Sequence, residues 1–277
     1  MFVNGPLVDQ KTQFRQAQSM KALKQDCAAA LDNFDKLTLS ELRGAKLMKR
    51  TDTKYIFPES RLLDILADLQ EDYAILEVDQ VRMQDYQTLY FDTPDFRFYQ
   101  QHHNGQRDRF KLRVRSYLDS DLNYIEVKRK DNHNRTQKSR LLTDSHADGD
   151  SPEIQSFLES ALPFSNQANL VPKITNRFNR IALVSKRDQE RMSLDLDLRF
   201  MSPSGQFSLP GIVIAEVKQP HFSVHSVFIQ KMRQEGYRPT RFSKYCIGIA
   251  LAYPDIKRNA FKPLLLDLQK LVLGVAS

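Results

Sequence analysis

Residues 109–115 read Arg-Phe-Lys-Leu-Arg-Val-Arg. Side chains two apart on a strand point the same way. As a strand, then, this stretch sets Lys111, Arg113 and Arg115 on one face and Phe110, Leu112 and Val114 on the other. A file of cations with no acid among them is either a wetted outer face or the wall of a site for a multiply charged anion.

The same alternation recurs along the chain. Residues 124–130, Tyr-Ile-Glu-Val-Lys-Arg-Lys, place Glu126, Lys128 and Lys130 opposite Ile125 and Val127, and residues 212–218, Ile-Val-Ile-Ala-Glu-Val-Lys, place Glu216 and Lys218 beside the apolar Ala215 and Val217. Further strand-like runs carry Arg50, Asp52 and Lys54, then Lys138 and Arg140, Arg177 and Arg180, and Arg191, Ser193 and Asp195. Acids are sparse on these faces and common in the loops, which a randomly solvated surface does not arrange. Repeated strands, each with an apolar face and a cationic face, describe a sheet whose charged faces converge. Enclosing so many like charges requires a polyanion or its counterions.

Composition is consistent with that reading. The 277 residues are 41% hydrophobic, enough for a sizeable core, and strand signatures recur from residue 50 to 250 without a linker-like tract, which favours one domain. A formal charge of +7 and a pI near 9.3 point to an anionic partner: nucleic acid, phospholipid or a small polyphosphate. Cys27 and Cys246 lie in dissimilar contexts without metal-ligand spacing, which predicts two free thiols and a reducing, cytoplasmic compartment. The first thirty residues are polar, with no signal peptide, and no run of about 18 apolar residues could span a bilayer.

Periodicity predicts a helix near Ala28–Leu42 with a disordered segment before it. Strands are expected at 50–57, 85–91, 108–118, 122–130, 135–142, 171–185, 190–200 and 211–219. Helices are expected at 59–71, 96–103, 153–162 and 222–235, the last closed by Gly236. The Phe261–Leu273 stretch is apolar on more than one side and packs on the sheet or touches a membrane surface or partner.

Taken in order, Lys54-Tyr55, Tyr90-Phe91-Asp92-Thr93, Lys-Leu-Arg-Val-Arg at 111–115, Ile-Glu-Val-Lys at 125–128, Lys138, Arg177 to Arg180, Arg191-Met-Ser-Leu-Asp195, Ala-Glu-Val-Lys at 215–218 and Arg241-Phe-Ser-Lys244-Tyr245 resemble one known domain. It is the catalytic domain of the vacuolar transporter chaperone (VTC) complex, a polyphosphate polymerase of the triphosphate tunnel metalloenzyme superfamily. The resemblance covers about residues 45–252, flanked by a polar and helical extension at 1–44 and a C-terminal helix at 253–277. It implies an α+β fold: an antiparallel β-barrel tunnel with a basic lumen and helices over its outer faces. Carried over position by position, it implies Arg113, Arg115, Lys128 and Arg191 as catalytic cations. Lys54, Lys138, Arg241 and Lys244 would hold phosphates with them, joined by Arg177 or Arg180, with Lys111 and Lys218 as lumen neighbours. Glu216 would hold Mn²⁺ or Mg²⁺.

The chain departs from the wider superfamily in its first strand, where Arg50-Thr-Asp52-Thr-Lys54 stands in place of Glu-x-Glu-x-Lys. A single acid there counts against a second metal and against triphosphate hydrolysis. The resemblance thus implies transfer of the γ-phosphoryl group of ATP onto a growing polyphosphate chain with release of ADP. A tripolyphosphate or nucleotide phosphohydrolase and a non-catalytic polyphosphate-binding module are the alternatives. Nucleic-acid binding ranks below them, because exposed stacking aromatics and a groove-reading helix are not evident. Other motifs are weak. There is no Gly-x-x-x-x-Gly-Lys loop, nine glycines are few for a phosphate-cradling loop enzyme, and His102-His103 beside a helix end lack spaced metal partners. Tyr55, Tyr90, Phe91 and Tyr245 read as packing residues, with adenine stacking by one of them as the alternative.

Overall fold

The structure, a computed structural model, describes residues 10–42, 50–133, 135–144, 151–162 and 169–272, with side chains from residue 18 onward. Its centre is one large sheet in the order β2 (Thr51–Pro58), β11 (Ile212–Gln219), β9 (Arg191–Ser202), β8 (Val171–Ser185), β4 (Met83–Asp92), β5 (Arg109–Tyr117), β6 (Leu122–Lys130), β7 (Thr136–Thr143). All neighbours on this path are antiparallel. β10 (Gly205–Leu209) extends β9 as a hairpin, β3 (Tyr73–Leu76) pairs with β8, and the short β1 (Asp35–Leu37) adds to β3 in parallel.

The strands alternate as their sequences demand, so each face of the sheet has a distinct chemistry. On the outer face, Tyr55, Phe57, Val213, Ala215, Val217, Met192, Leu194, Ile181 and Leu183 form a core with three helices. These are α1 (Gln10–Leu31), α3 (Leu62–Leu69) and α6 (Val227–Gln234). α3 buries Leu62, Ile65, Leu66 and Leu69, one stripe at helical spacing. α6 is capped by the Ser226 hydroxyl, which accepts from the Ile229 amide at 3.2 Å, and it stops at Gly236, whose φ of 81° suits glycine. A second outer core under β5 and β6 joins Phe110, Leu112, Val114, Ile125 and Val127 to α4 (Arg97–His103) and α5 (Pro152–Ala161).

The inner face is divided. One half is apolar: Ile56, Tyr90, Ile174, Phe200, Leu198 and Ile214 pack against α7 (Lys244–Ala252), and α8 (Lys262–Val272) adds Leu265 and Leu268 to the same core. α7 approaches so closely that a Cβ on Gly248 would stand 2.7 Å from the Phe200 ring and 2.8 Å from Ile174 Cδ1. The other half is charged. The curl bringing it together is visible in Lys128 of β6, whose field partners include Glu216 of β11 and Asp52 and Lys54 of β2.

Sequence and structure differ at several elements. The expected helix at 28–42 is replaced by α1, which begins at Gln10 and ends at Leu31, and by β1 and a short turn of helix, α2 (Leu39–Leu42). Its Gln, Lys and Ala residues are strong helix formers, whereas Asp32 and Asn33 favour termination. β1, β3, β10 and α7 have no counterpart among the expected elements. The barrel is also not closed by hydrogen bonds, because β2 and β7 remain the two ends of the ladder. Residues 240–243 occupy the edge of β2, where the Thr240 amide donates to the Lys54 carbonyl at 2.8 Å.

Candidate active site: a basic lumen

Strand register fixes which side chains line the lumen. Across β2, β11 and β9, Lys54 stands beside Glu216 and Ser193, and Asp52 beside Lys218 and Arg191. Across β9, β8 and β4, Asp195 stands beside Arg180 and Gln84. Lys111 lies opposite Lys128 and Lys138, and Arg113 opposite Glu126. The inner charged half therefore gathers lysines and arginines from β2, β5, β6, β7, β8 and β11.

Three acids of the lumen, Glu126 and Asp195 buried and Glu216 half-buried, each bridge two cations. Glu126, only 1% exposed, accepts from Arg113 Nε at 2.7 Å and pairs with Lys138. Asp195 accepts from Arg180 at 2.6 and 2.7 Å and pairs with Lys244. Glu216 lies 2.8 Å from Lys218 Nζ and 3.5 Å from Lys54 Nζ. Burial alone would raise these carboxyls, but the neighbouring cations win. Glu126 is drawn down to about 2, chiefly by Arg113, Arg115 and Lys138. Asp195 and Glu216 also fall well below the carboxylate range, held by Arg180 with Lys244 and by Lys218 with Lys54.

Each acid thus leaves a net positive pair-plus-one, and three further cations have no carboxylate partner among the described residues. These are Lys111, Arg115 and Lys128. Lys111 donates to the Ser243 hydroxyl at 2.8 Å, and Arg115 lies over the Tyr86 ring at 5.6 Å. Lys128 is exposed to solvent although protein surrounds it, as a channel-lining group should be. Burial and the adjacent Lys111 push its ammonium down to about 8, and burial pushes Lys244 to about 8 against the pull of Asp195. Lys111 and Lys138 are lowered by burial as well.

Several residues outside the expected set complete the wall. The Tyr90 hydroxyl accepts from Arg113 Nη1 at 3.4 Å. Burial would raise this phenol, but Arg113, Arg115 and Lys111 bring it down to about 8. Ser243 caps α7 by accepting from the Cys246 amide at 3.2 Å while its hydroxyl also receives Lys111. Lys54 Nζ donates to the Phe242 carbonyl at 2.9 Å, so residues 240–244 strap β2 to β5 across the open side. Asp92 ties the far end of this strap: it accepts from the Phe98 and Tyr99 amides at 2.8 and 2.9 Å and from the Tyr245 hydroxyl. The alternation of Asp195 with Arg191 and Ser193 is a signal for its inward placement; Ser243 and Tyr90 lie in stretches that carry the family resemblance, although the sequence assigns neither a site role.

Arg177 does not join the lumen. It shares the face of Asp85 and Gln87, opposite to that of Arg180, and forms a partly exposed ion pair with Asp85. Arg180 lies three positions after Arg177, an odd step, so a continuous strand must send them to opposite sides. Arg180 is the inward member. Arg191 stands at the rim, donating to the Leu42 carbonyl at 3.2 Å. Arg241 is exposed at the strap and lies close enough to Lys130 to lower its ammonium, after burial. His102, held to the Phe110 carbonyl at 3.1 Å, is kept neutral by burial. Tyr55 faces the outer core.

For a metal the donor set is thin. Among the described residues no cluster of three His, Cys, Asp or Glu side chains could hold an ion. Glu216 is a single carboxylate between two lysines, which fits a hard cation that arrives coordinated by phosphate oxygens and takes one protein ligand. Among the described residues no helix is long and apolar enough to cross a membrane, and both cysteines are free and buried.

Curled antiparallel strands around a cation-lined lumen define a tunnel fold. Residues 49–253 match the VTC domain family, and the chain belongs to it. No protein with a curated description is significantly similar. Among solved structures, a candidate adenylyl cyclase from Hippeastrum, described as having a dominant triphosphatase activity, is 14% identical with a TM-score of 0.46, covering 73% of this chain and 96% of its own. A candidate adenylate cyclase from Vibrio parahaemolyticus is 12% identical with a TM-score of 0.42, covering 72% and 97%. A conserved hypothetical protein from Pyrococcus furiosus is 13% identical with a TM-score of 0.38, covering 72% and 99%.

Proposed function

We propose that the protein is a polyphosphate polymerase, which transfers the γ-phosphoryl group of ATP onto the end of a polyphosphate chain and releases ADP. The observation that carries this reading is the charge arrangement. Three acids fix six cations in place, and Lys111, Arg115 and Lys128 stand beside them without an acid of their own. A run of linked phosphates would supply the missing negative charge. Membership of the VTC domain family supports the same substrate class.

Phosphoryl transfer needs charge neutralisation and in-line positioning more than acid–base chemistry. Arg113 and Arg180, each held by a carboxylate, present preorganised guanidinium forks. Lys111 and Lys128 act as point charges, suiting a chain that must bind and then advance. A terminal phosphate is already ionised near neutral pH, so no strong base is required. Mn²⁺ or Mg²⁺, bound by substrate oxygens and Glu216, would neutralise charge on the transferring group.

Incubating the protein with ATP and Mn²⁺ or Mg²⁺, then measuring ADP, free phosphate and acid-stable polymer together, tests this. ADP with polymer and little free phosphate is the expected result, and Glu216→Gln should end it. Stoichiometric free phosphate identifies a hydrolase instead. No turnover of any nucleotide with any divalent metal leaves a binding module.

A further inference from the structure

One register row of the lumen sets a cation beside neutral polar side chains that are buried and unbonded. Arg115 of β5 pairs with Thr88 of β4, and Thr88 pairs with Asn176 of β8. Directly opposed side chains of this kind have Cβ atoms about 4.5–5.5 Å apart, so the three form one continuous strip on the inner face. Thr88 and Asn176 are 0% and 1% exposed. Yet the Arg115 Nε, the Thr88 hydroxyl and both side-chain polar atoms of Asn176 have no hydrogen-bond partner. Buried polar groups are almost always bonded, and leaving one unbonded costs free energy. Four orphaned atoms on three adjacent side chains are therefore a cluster, not scattered exceptions.

The surroundings set the limits of this strip. Asn176 faces Phe200 of β9, which lies under Gly248 of α7, so the strip ends against the apolar half of the inner face. Tyr86 and Tyr90 flank Thr88 along β4. The strip offers a guanidinium, a hydroxyl donor and an amide that supplies an NH2 group with two donors and an acceptor oxygen. The donors suit phosphoryl oxygens. The amide oxygen needs a proton on its partner, which a singly protonated terminal phosphoryl group carries and an internal one lacks.

We infer that Arg115, Thr88 and Asn176 form a terminal-phosphoryl subsite, which receives the end of a phosphate chain where the basic lumen meets α7. The inference rests on the lumen being a polyphosphate site and not on the transfer reaction. In this arrangement the ion-paired cations hold the body of the chain, whereas the neutral pair recognises its end.

Calorimetric titration of the intact protein with tripolyphosphate and orthophosphate tests the assignment. Thr88→Val and Asn176→Leu remove the orphaned atoms and keep the number and branching of the side-chain heavy atoms. Each should weaken tripolyphosphate binding by about tenfold or more, and Thr88→Ser, which keeps the hydroxyl, should restore it. The unliganded melting temperature of the Val and Leu variants should stay level or rise, because an unbonded polar group has been replaced by an apolar one. A residue bonded for structural reasons would show the opposite, a lower melting temperature with unchanged affinity. If the parent binds tripolyphosphate and both variants bind it equally well, the subsite is overturned while the polyphosphate reading stands. If the parent does not bind it at all, both fall.

Discussion

At the scale of single residues, the lumen is a problem in shared charge. Lys128 and Lys244 are brought down to about 8 chiefly by burial, with neighbouring cations adding to it, whereas Tyr90 is brought down to about 8 by Arg113, Arg115 and Lys111 against its burial. The sign of the pH dependence follows. An unfolded lysine or tyrosine titrates near 10, so between about pH 8 and 10 the unfolded chain binds more protons than the folded one. The unliganded protein should therefore gain stability as pH rises through that window, visible as a rising melting temperature from pH 7.5 to 9.5. A polyanion reverses the preference by favouring ammonium and neutral phenol. Tripolyphosphate binding at pH 8.5 should accordingly take up protons, read from calorimetry in buffers of different ionisation enthalpy. Equal heats across those buffers, after correction for the ligand's own protons, would mean that Lys128, Lys244 and Tyr90 do not face the ligand.

At the scale of elements, α7 matters most. Its sequence, Lys-Tyr-Cys-Ile-Gly-Ile-Ala-Leu-Ala, is apolar almost all round, as suits a helix buried on every side. Its first turn delivers Ser243 and Lys244 to the lumen, and its middle rests on Phe200 and Ile174 through Gly248. Gly248→Ala should cost about 1–3 kcal/mol, the usual penalty of overpacking a tight core, because the aromatic ring cannot move aside cheaply. Urea unfolding measures this. The same substitution should also weaken tripolyphosphate binding by tilting Ser243 and Lys244 away from Lys111 and Asp195. A glycine in a helix interior otherwise gains stability on becoming alanine, so an increase would show that α7 does not pack as described.

At the scale of the whole molecule, the cations repel one another until a polyanion joins them. A ligand that binds only the folded state stabilises it by about 2.7 kcal/mol at 100 times its dissociation constant. Tripolyphosphate should raise the melting temperature by several degrees, more than sulfate or orthophosphate does at matched ionic strength. The paired change Arg113→Ala with Arg115→Ala should abolish most of that rise. It removes one member of the Glu126 cluster and one cation that has no acid, so the unliganded protein should suffer less than the complex. A response equal to that of simple salt would make these files of cations an ordinary wetted face.

Alternation alone settled much of this. A period of two in residues 109–115, 124–130 and 212–218 fixes which residues share a face, because a strand admits no other arrangement, and the cationic faces of Lys111, Arg113, Arg115, Lys128, Glu216 and Lys218 are where that pattern put them. The same counting, applied strictly, would have separated Arg177 from Arg180. Tertiary structure alone decided which cations each acid would hold, since Asp195 meets Lys244, and Lys111 meets Ser243, across long stretches of chain. It also decided that half of the inner face is apolar and plugged by α7. A local pattern records the side of a strand on which a residue lies, but not what the curl of the sheet brings opposite to it. Thr88 and Asn176 were silent for that reason: a neutral polar residue in a strand gains meaning only when its neighbours in space leave it buried and unbonded.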